Sequence, residues 1–271
     1  MPAPELNARV AQRSEVAPGL CILRVVPEGW ELSDFLPGQF AVLGLPASAP
    51  RDPFSDLEEP PREPDKLIRR SYSIASSSKA REYLEFYVAL VHSGSLSPRL
   101  FMLRPGDPLW LGKKFTGLFT LAEVPPQQNV LLIATGTGIA PYMSMLRTHA
   151  PGGETRRSAV LHGARHSWDL GYRSELLALQ KGTDRFTYLP VISKPEEEFD
   201  PWRQHTGYVQ DLWRSGALDA AWGFHPRPED THVFLCGNPA MVDQMSALLQ
   251  AEGFSEHSRK ALGQIHVERY W

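Results

Sequence analysis

The strongest constraint in this chain is a change of rhythm after Pro125-Pro126. Val130-Leu131-Leu132-Ile133-Ala134 is apolar at every position, the mark of a strand buried on both faces in a parallel sheet. It runs directly into Thr135-Gly136-Thr137-Gly138-Ile139-Ala140-Pro141 and a helical pattern through Tyr142–His149. Further strands are predicted at Ser158–His162, Phe186–Ile192 and Thr231–Cys236, with helices at Leu170–Leu179, Gly207–Ser215 and Ala240–Ala251. That alternation predicts an α/β domain. Before the change the chain reads as short, closely spaced strands: Leu6–Ser14, Leu20–Val26, Phe40–Leu45, the stretch around 68–74, Tyr83–Val91 and Leu109–Leu111, with one short helix near Pro98. In Leu20–Val26, Cys21, Leu23 and Val25 share one face. This is the pattern of a small antiparallel β-barrel. The expected fold is therefore two domains, an N-terminal antiparallel barrel over 1–122 and a C-terminal α/β parallel-sheet domain over 123–271, with the boundary near Glu123–Gln128.

Composition narrows the function. A length of 271 residues suits two moderate domains. The formal net charge of −3 gives no global attraction to nucleic acid. The two cysteines, Cys21 and Cys236, lie far apart and form neither a disulfide framework nor a metal-ligand spacing. The start of the sequence carries no signal-peptide pattern, and no apolar run approaches the roughly 20 residues needed to span a bilayer. The expected setting is the cytoplasm, with no membrane insertion and no metal. Residues 46–66 are rich in Pro, Asp and Glu and predict a solvated loop that buries little, an insertion without functional consequence.

Several stretches carry candidate chemistry. In Ile68-Arg69-Arg70-Ser71-Tyr72-Ser73-Ile74, alternation puts Arg70 and Tyr72 on one face of a strand. A fixed planar cation then stands about 6–7 Å along the strand from a flat ring, the combination a flavin dinucleotide needs. An ordinary strand with a surface Arg and a half-buried Tyr fits equally. In Gly94-Ser95-Leu96-Ser97-Pro98, Pro98 suits a first helical turn and Ser97 an N-cap. The helix start offers free N–H groups to an anion, or is simply capped. The glycine turn at 135–141 links a buried strand to a helix, where backbone can approach a pyrophosphate; a tight turn would also select glycine. Cys236-Gly237-Asn238-Pro239 likewise ends a buried strand and opens a helix. Cys236 there is either a crevice residue or a small buried apolar one. The sequence ends on His266-Val267-Glu268-Arg269-Tyr270-Trp271, and two terminal rings predict packing onto something flat.

Arg70-Ser71-Tyr72-Ser73, Gly94-Ser95-Leu96-Ser97, Gly136-Thr137-Gly138-Ile139-Ala140-Pro141 and Cys236-Gly237-Asn238-Pro239 occur in an order and spacing that resembles the ferredoxin–NADP⁺ reductases. The Glu268-Arg269-Tyr270-Trp271 ending is similar to the bacterial branch of that family. The resemblance implies FAD and NADP(H) as cofactors. For FAD it implies Arg70 on the pyrophosphate, Tyr72 on one flavin face, Ser73 near N5, and Ser71, Tyr87, Gly94, Ser95, Leu96, Ser97 and Thr137 in the remaining contacts. It implies Tyr270 on the other flavin face, moving aside for the nicotinamide, and Trp271 on the adenine. For NADP it implies Thr135, Gly136, Thr137 and Gly138 at the pyrophosphate, Cys236 and Gly237 beside the nicotinamide, and Arg165, Ser193, Lys194 and Tyr208 around the 2′-phosphate and adenine. Ser73, Cys236 and Glu268 are then the catalytic residues. At the 2′-phosphate site this chain has Lys194 and Tyr208 where bacterial members tend to carry arginines, so a charge is kept without its fork at one place and lost at the other.

The activity so implied is electron exchange between NADP(H) and a ferredoxin or flavodoxin. An acidic partner would meet a basic rim of Lys79, Arg81, Arg99, Arg104, Lys113 and Lys114. Two alternatives use the same residues. An NADH-dependent reductase component of an oxygenase system often carries an iron–sulfur domain, for which this chain has no cysteine cluster. A non-catalytic flavin-binding redox sensor would need no nicotinamide site, yet both glycine-containing turns are present.

Overall fold

The computed structural model describes residues 5–60, 62–149 and 156–269. They fall into two compact units, Met1–Leu121 with Ala140–Thr148, and Ala122–Ile139 with His149–Trp271.

The first unit contains β1 (Ala8–Ala17), β2 (Leu20–Pro27), β3 (Phe40–Pro46), β4 (Leu67–Ser73), β5 (Leu84–Ala89), the short helix α1 (Ser97–Leu100) and β6 (Pro108–Leu111). The sheet order is β4-β3-β6-β1-β2-β5, with every neighbour antiparallel. A bridge between Ile74 and Phe86 joins the ends of the row and closes the barrel. Alternation puts Cys21, Leu23 and Val25 of β2 in the core with no exposed surface, as the period of two predicts. They pack with Leu43, Phe86, Leu109 and Leu111. β1 runs further than predicted because two register shifts let it continue along β2.

The second unit is a parallel sheet with order β10-β9-β8-β7-β11-β12. Its strands are β7 (Asn129–Thr135), β8 (Ser158–Ala164), β9 (Phe186–Ile192), β10 (His205–Thr206), β11 (Thr231–Cys236) and β12 (Ile265–Glu268). Helices α3 (Arg173–Gly182), α4 (Val209–Arg214), α5 (Ala217–Trp222) and α6 (Pro239–Ala251) belong to it, while all but the last residue of α2 (Ala140–His149) is counted with the barrel. From β7 the chain steps outward through β8, β9 and β10, then returns to the other side of β7 as β11. That reversal between β7 and β11 is a topological switch point, where the carboxyl ends of strands leave a crevice for ligands.

Local chemistry explains where elements start. Helix α6 begins at Pro239 because the Asn238 side chain accepts from Ala240 N at 2.9 Å and Met241 N at 3.4 Å. The predicted helix over Leu170–Leu179 starts three residues late, at Arg173. Residues Ser167–Asp169 form a separate 3₁₀ turn, and Tyr172 takes φ 61° directly before the helix. Short elements with little apolar periodicity (α5, β10 and β12) escaped the sequence reading.

Residues 46–66 form the polar loop expected, with none of the described residues after Pro46 buried. Among the described residues after Pro46 there is no helix or strand, yet the loop is stitched onto the first unit. Asp52 N donates to Pro98 O at 3.0 Å and Asp56 N to His92 O at 3.1 Å. Arg51 Nη1 donates to Gly94 O at 3.2 Å, and Arg62 Nη2 to Ser95 Oγ at 2.8 Å. Glu58 takes Arg62 and Arg99, each at 2.8 Å. The composition is polar because the loop is held by ion pairs and backbone hydrogen bonds, which apolar periodicity does not reveal.

Candidate functional site

At the switch point the two glycine-containing turns interlock. Gly136–Ile139 forms a 3₁₀ turn after β7, and Cys236-Gly237-Asn238 leaves β11 beside it. A Cβ on Gly138 would lie 2.2 Å from Cys236 O, and one on Gly237 would lie 2.4 Å from Thr135 Oγ1. Gly237 also has φ 137°, closed to other residues. Thr135 Oγ1 accepts from Asn238 N at 2.9 Å, fastening one turn to the other. Gly138 and Gly237 are therefore required by backbone packing. Gly136 is different: it has φ 55°, and a Cβ there would meet nothing within 4 Å. Open space stands over this backbone at the carboxyl end of the central strand, which is where a pyrophosphate can approach. Thr137 beside it is half-buried.

Cys236 lies in register with Ala134 on one side and Glu268 on the other, so the catalytic pair expected from the sequence sits on adjacent strands. The Cys236 side chain is fully buried and Glu268 is partly exposed. Tyr270 and Trp271 lie outside the described residues.

The residues expected around the 2′-phosphate gather at the same end of the sheet. Arg165 follows β8, Ser193 and Lys194 follow β9, and Tyr208 follows β10. Backbone bonds hold them together: Ser193 N donates to Ala164 O and Lys194 N to Arg165 O, both at 3.0 Å. Arg165, Lys194 and Tyr208 are exposed. Tyr208, 66% exposed, caps the start of α4 with its backbone, Tyr208 N donating to Asp211 Oδ2 at 2.9 Å. His162, ahead of Arg165, is no part of this surface. It is fully buried, with Nδ1 3.2 Å from Tyr188 Oη, and burial holds its imidazole down at about 3. Lys194 stays firmly protonated, chiefly through its hydrogen bond with Glu196.

In the first unit, β4 pairs with β3 in the register Tyr72↔Ala41 and Arg70↔Leu43. Arg70 is exposed, with Nη1 donating to Arg69 O at 2.8 Å. Tyr72 packs its ring on the barrel core. Burial pushes its phenol well above the usual range, against the opposing pull of the Arg70 charge. Ser71 is exposed on the opposite face with Arg69, whose guanidinium lies 5.4 Å from the Trp110 ring. Ser73 and Tyr87 are buried.

The segment Gly94–Ser97 differs from expectation in two ways. Ser97 is not the N-cap: α1 starts at Ser97 itself, and its hydroxyl turns inward, accepting from Val91 N at 3.1 Å and donating to Val91 O at 3.4 Å. Leu96 precedes it as a buried core residue. Ser95 is half-buried, its hydroxyl turned toward Arg62. Arg99 does not belong to a basic rim. Its side chain is 3% exposed and donates to Ser95 O and Ala47 O, both at 2.6 Å, and to Glu58 Oε2. Burial works to raise the Glu58 carboxyl, but hydrogen bonds from Arg99 and Arg62 overcome it and hold the group at about 2. Lys79, Arg81, Arg104, Lys113 and Lys114 are exposed, with Arg81 paired to Asp34.

Besides Arg99, sequence reasoning missed the buried charge of Glu85 in this unit. Glu85, in the otherwise apolar β5, takes Arg24 Nε at 2.8 Å and Arg147 Nη1 at 2.7 Å. Arg147 also donates to Ala75 O at 2.9 Å, and Thr148 Oγ1 accepts from Ser78 N at 3.0 Å, so the last turns of α2 are tied to the barrel just after β4.

Comparison with known proteins decides the family. Residues 132–247 match the model of the oxidoreductase NAD-binding domain. The flavodoxin/ferredoxin–NADP reductase of Escherichia coli is 32% identical over 238 residues, 88% of this chain and 88% of the relative. The chain belongs to the flavodoxin/ferredoxin–NADP reductase family. It is thus an oxidoreductase, and the counterpart from Buchnera aphidicola agrees, at 31% identity over 89% of each chain. The fold of the reductase is that of a ferredoxin NADP⁺ reductase from Neisseria gonorrhoeae, crystallised with bound FAD and NADP, at a TM-score of 0.80 and 24% identity over 98% of both chains. Among the described residues no helix is long and apolar enough to cross a membrane.

Proposed function

We propose that this reductase binds FAD on its barrel and NADP(H) on its parallel sheet, and exchanges electrons between NADP(H) and a ferredoxin or flavodoxin. The observation that carries the reading is the pair of interlocked turns at the switch point, with backbone open above Gly136 alone of the three glycines. The open backbone there leaves room for a phosphate to approach at the carboxyl end of the central strand. The barrel residues fit the flavin dinucleotide: Arg70 offers an exposed planar cation for the pyrophosphate, and Tyr72 on the same face offers a ring fixed by the core. The sheet fits a nicotinamide dinucleotide, with Thr135, Gly136 and Thr137 for its pyrophosphate and Arg165, Ser193, Lys194 and Tyr208 for its adenosine phosphate end. When bound, FAD supplies the conversion between two-electron exchange with NADP(H) and one-electron exchange with a protein partner. Ser73 on the barrel unit, and Cys236 and Glu268 on the parallel-sheet unit, are the proposed catalytic residues.

The proposed partner is acidic, because Lys79, Arg104, Lys113 and Lys114 are exposed cations on the barrel unit of a chain whose net charge is negative. A diaphorase assay with NADPH and NADH in parallel tests the enzyme reading. Turnover with NADPH preferred is expected, and no turnover with either nucleotide would end it. Reduction of ferredoxin should fall steeply with ionic strength while ferricyanide reduction does not; equal salt dependence would remove the acidic partner.

A further inference from the structure

Lys194, the cation offered to the 2′-phosphate in the reading above, is already engaged. Its Nζ lies 3.4 Å from Glu196 Oε1 and 3.5 Å from Glu197 Oε1. The two glutamates are placed there by structure and not by chance. Pro195–Glu197 forms a 3₁₀ turn directly after Lys194. The turn is anchored to the residues after β8: Ser167 N and Ser167 Oγ both donate to Glu198, each at 2.6 Å. His166 Nε2 stands 2.7 Å from Glu197 Oε2. The His166 ring is fixed in turn by Asp169 at 3.1 Å and by stacking on Trp168, with centroids 4.4 Å apart and planes 12° apart. Glu197 therefore bridges His166 to Lys194, and both lie beside Arg165, whose carbonyl holds the Lys194 backbone.

We infer that Glu196 and Glu197 are specificity-determining residues that weaken discrimination in favour of the 2′-phosphorylated nucleotide. A 2′-phosphate arriving at Lys194 must displace two carboxylates or share the lysine with them. A 2′-hydroxyl carries no charge and meets no such competition. The attraction of Lys194 is thus partly cancelled before any ligand binds, and Arg165 is left as the main cation for the phosphate. This rests on the assignment of the β8, β9 and β10 ends to the nucleotide. All three side chains reach solvent, at 46%, 62% and 50% exposure for Lys194, Glu196 and Glu197, so the effect is moderate and falls with salt.

The test is calorimetric binding of 2′-phospho-AMP and of AMP to the full-length protein, its Glu196→Gln/Glu197→Gln variant and its Arg165→Ala variant. In low salt the double variant should bind 2′-phospho-AMP about three- to tenfold tighter, with AMP changed by less than about twofold. The gain should shrink at about 0.5 M salt. The NADPH-to-NADH ratio of kcat/KM should rise by the same factor. If the double variant binds 2′-phospho-AMP no tighter while Arg165→Ala still weakens it, the inference is overturned and the site assignment stands. If Arg165→Ala also leaves 2′-phospho-AMP unchanged, the site assignment itself fails and takes the inference with it.

Discussion

Glu85 leaves 1% of its side chain exposed and has an arginine on each carboxylate oxygen, Arg24 from β2 and Arg147 from α2. Removing the carboxylate would strand two guanidinium groups, of which Arg147 is mostly buried, and that costs far more than a surface ion pair returns. Glu85→Ala is expected to lower stability by about 3 kcal/mol in urea unfolding, with Glu85→Gln losing less because the amide oxygen still accepts. A loss below about 1 kcal/mol would show the network to be incidental. At this scale the sequence was half legible. Leu84-Glu85-Phe86 reads as strand from its apolar neighbours, but the partners of Glu85 lie 61 and 62 residues away, and pairing over such distances leaves no local pattern. The glycines were legible only as a group. That Gly138 and Gly237 serve packing while Gly136 leaves backbone open depends on how two turns nest, which spacing does not encode.

The loop over 46–66 shows how an element can be held without secondary structure. Arg51, Glu58, Arg62 and Arg99 connect it to Gly94–Ser97, the segment expected at the FAD pyrophosphate. The loop therefore acts as a clasp on that segment. Glu58 has a folded-state value of about 2 against an ordinary 4.5, so its contribution is complete above the ordinary value and is lost as pH falls from about 4.5 toward 2. Amide hydrogen exchange at Asp52 and Asp56, which bond to Pro98 and His92, reads the clasp directly. Glu58→Gln at neutral pH should reduce their protection by at least about tenfold, and the parent protein should lose it over the same acid window. Protection that survives both would mean the loop is held by its backbone bonds alone. Most helices and strands of six or more residues were predicted within a few positions, because their apolar patterns are strong. The short elements α5, β10 and β12 were not, and the contacts that hold the loop come from charge pairing, which leaves no such pattern.

For the whole molecule the decisive feature is the strand order β10-β9-β8-β7-β11-β12, since it brings the ends of β7 and β11 together although some 100 residues separate them. The sequence revealed both turns and the change from antiparallel to parallel patterning, which is why the fold and family could be anticipated. Strand order, and with it the interlock, emerges only from tertiary packing. The most direct measurement is an anaerobic titration of the purified protein with NADPH, watched at the visible flavin band, followed by addition of oxidised ferredoxin or flavodoxin. The protein should carry extractable FAD, bleach with about one equivalent of NADPH and regain its colour as the partner is reduced. A protein that binds no FAD, or whose flavin band NADPH leaves unchanged, would contradict the assignment of the barrel and the switch point to these two nucleotides.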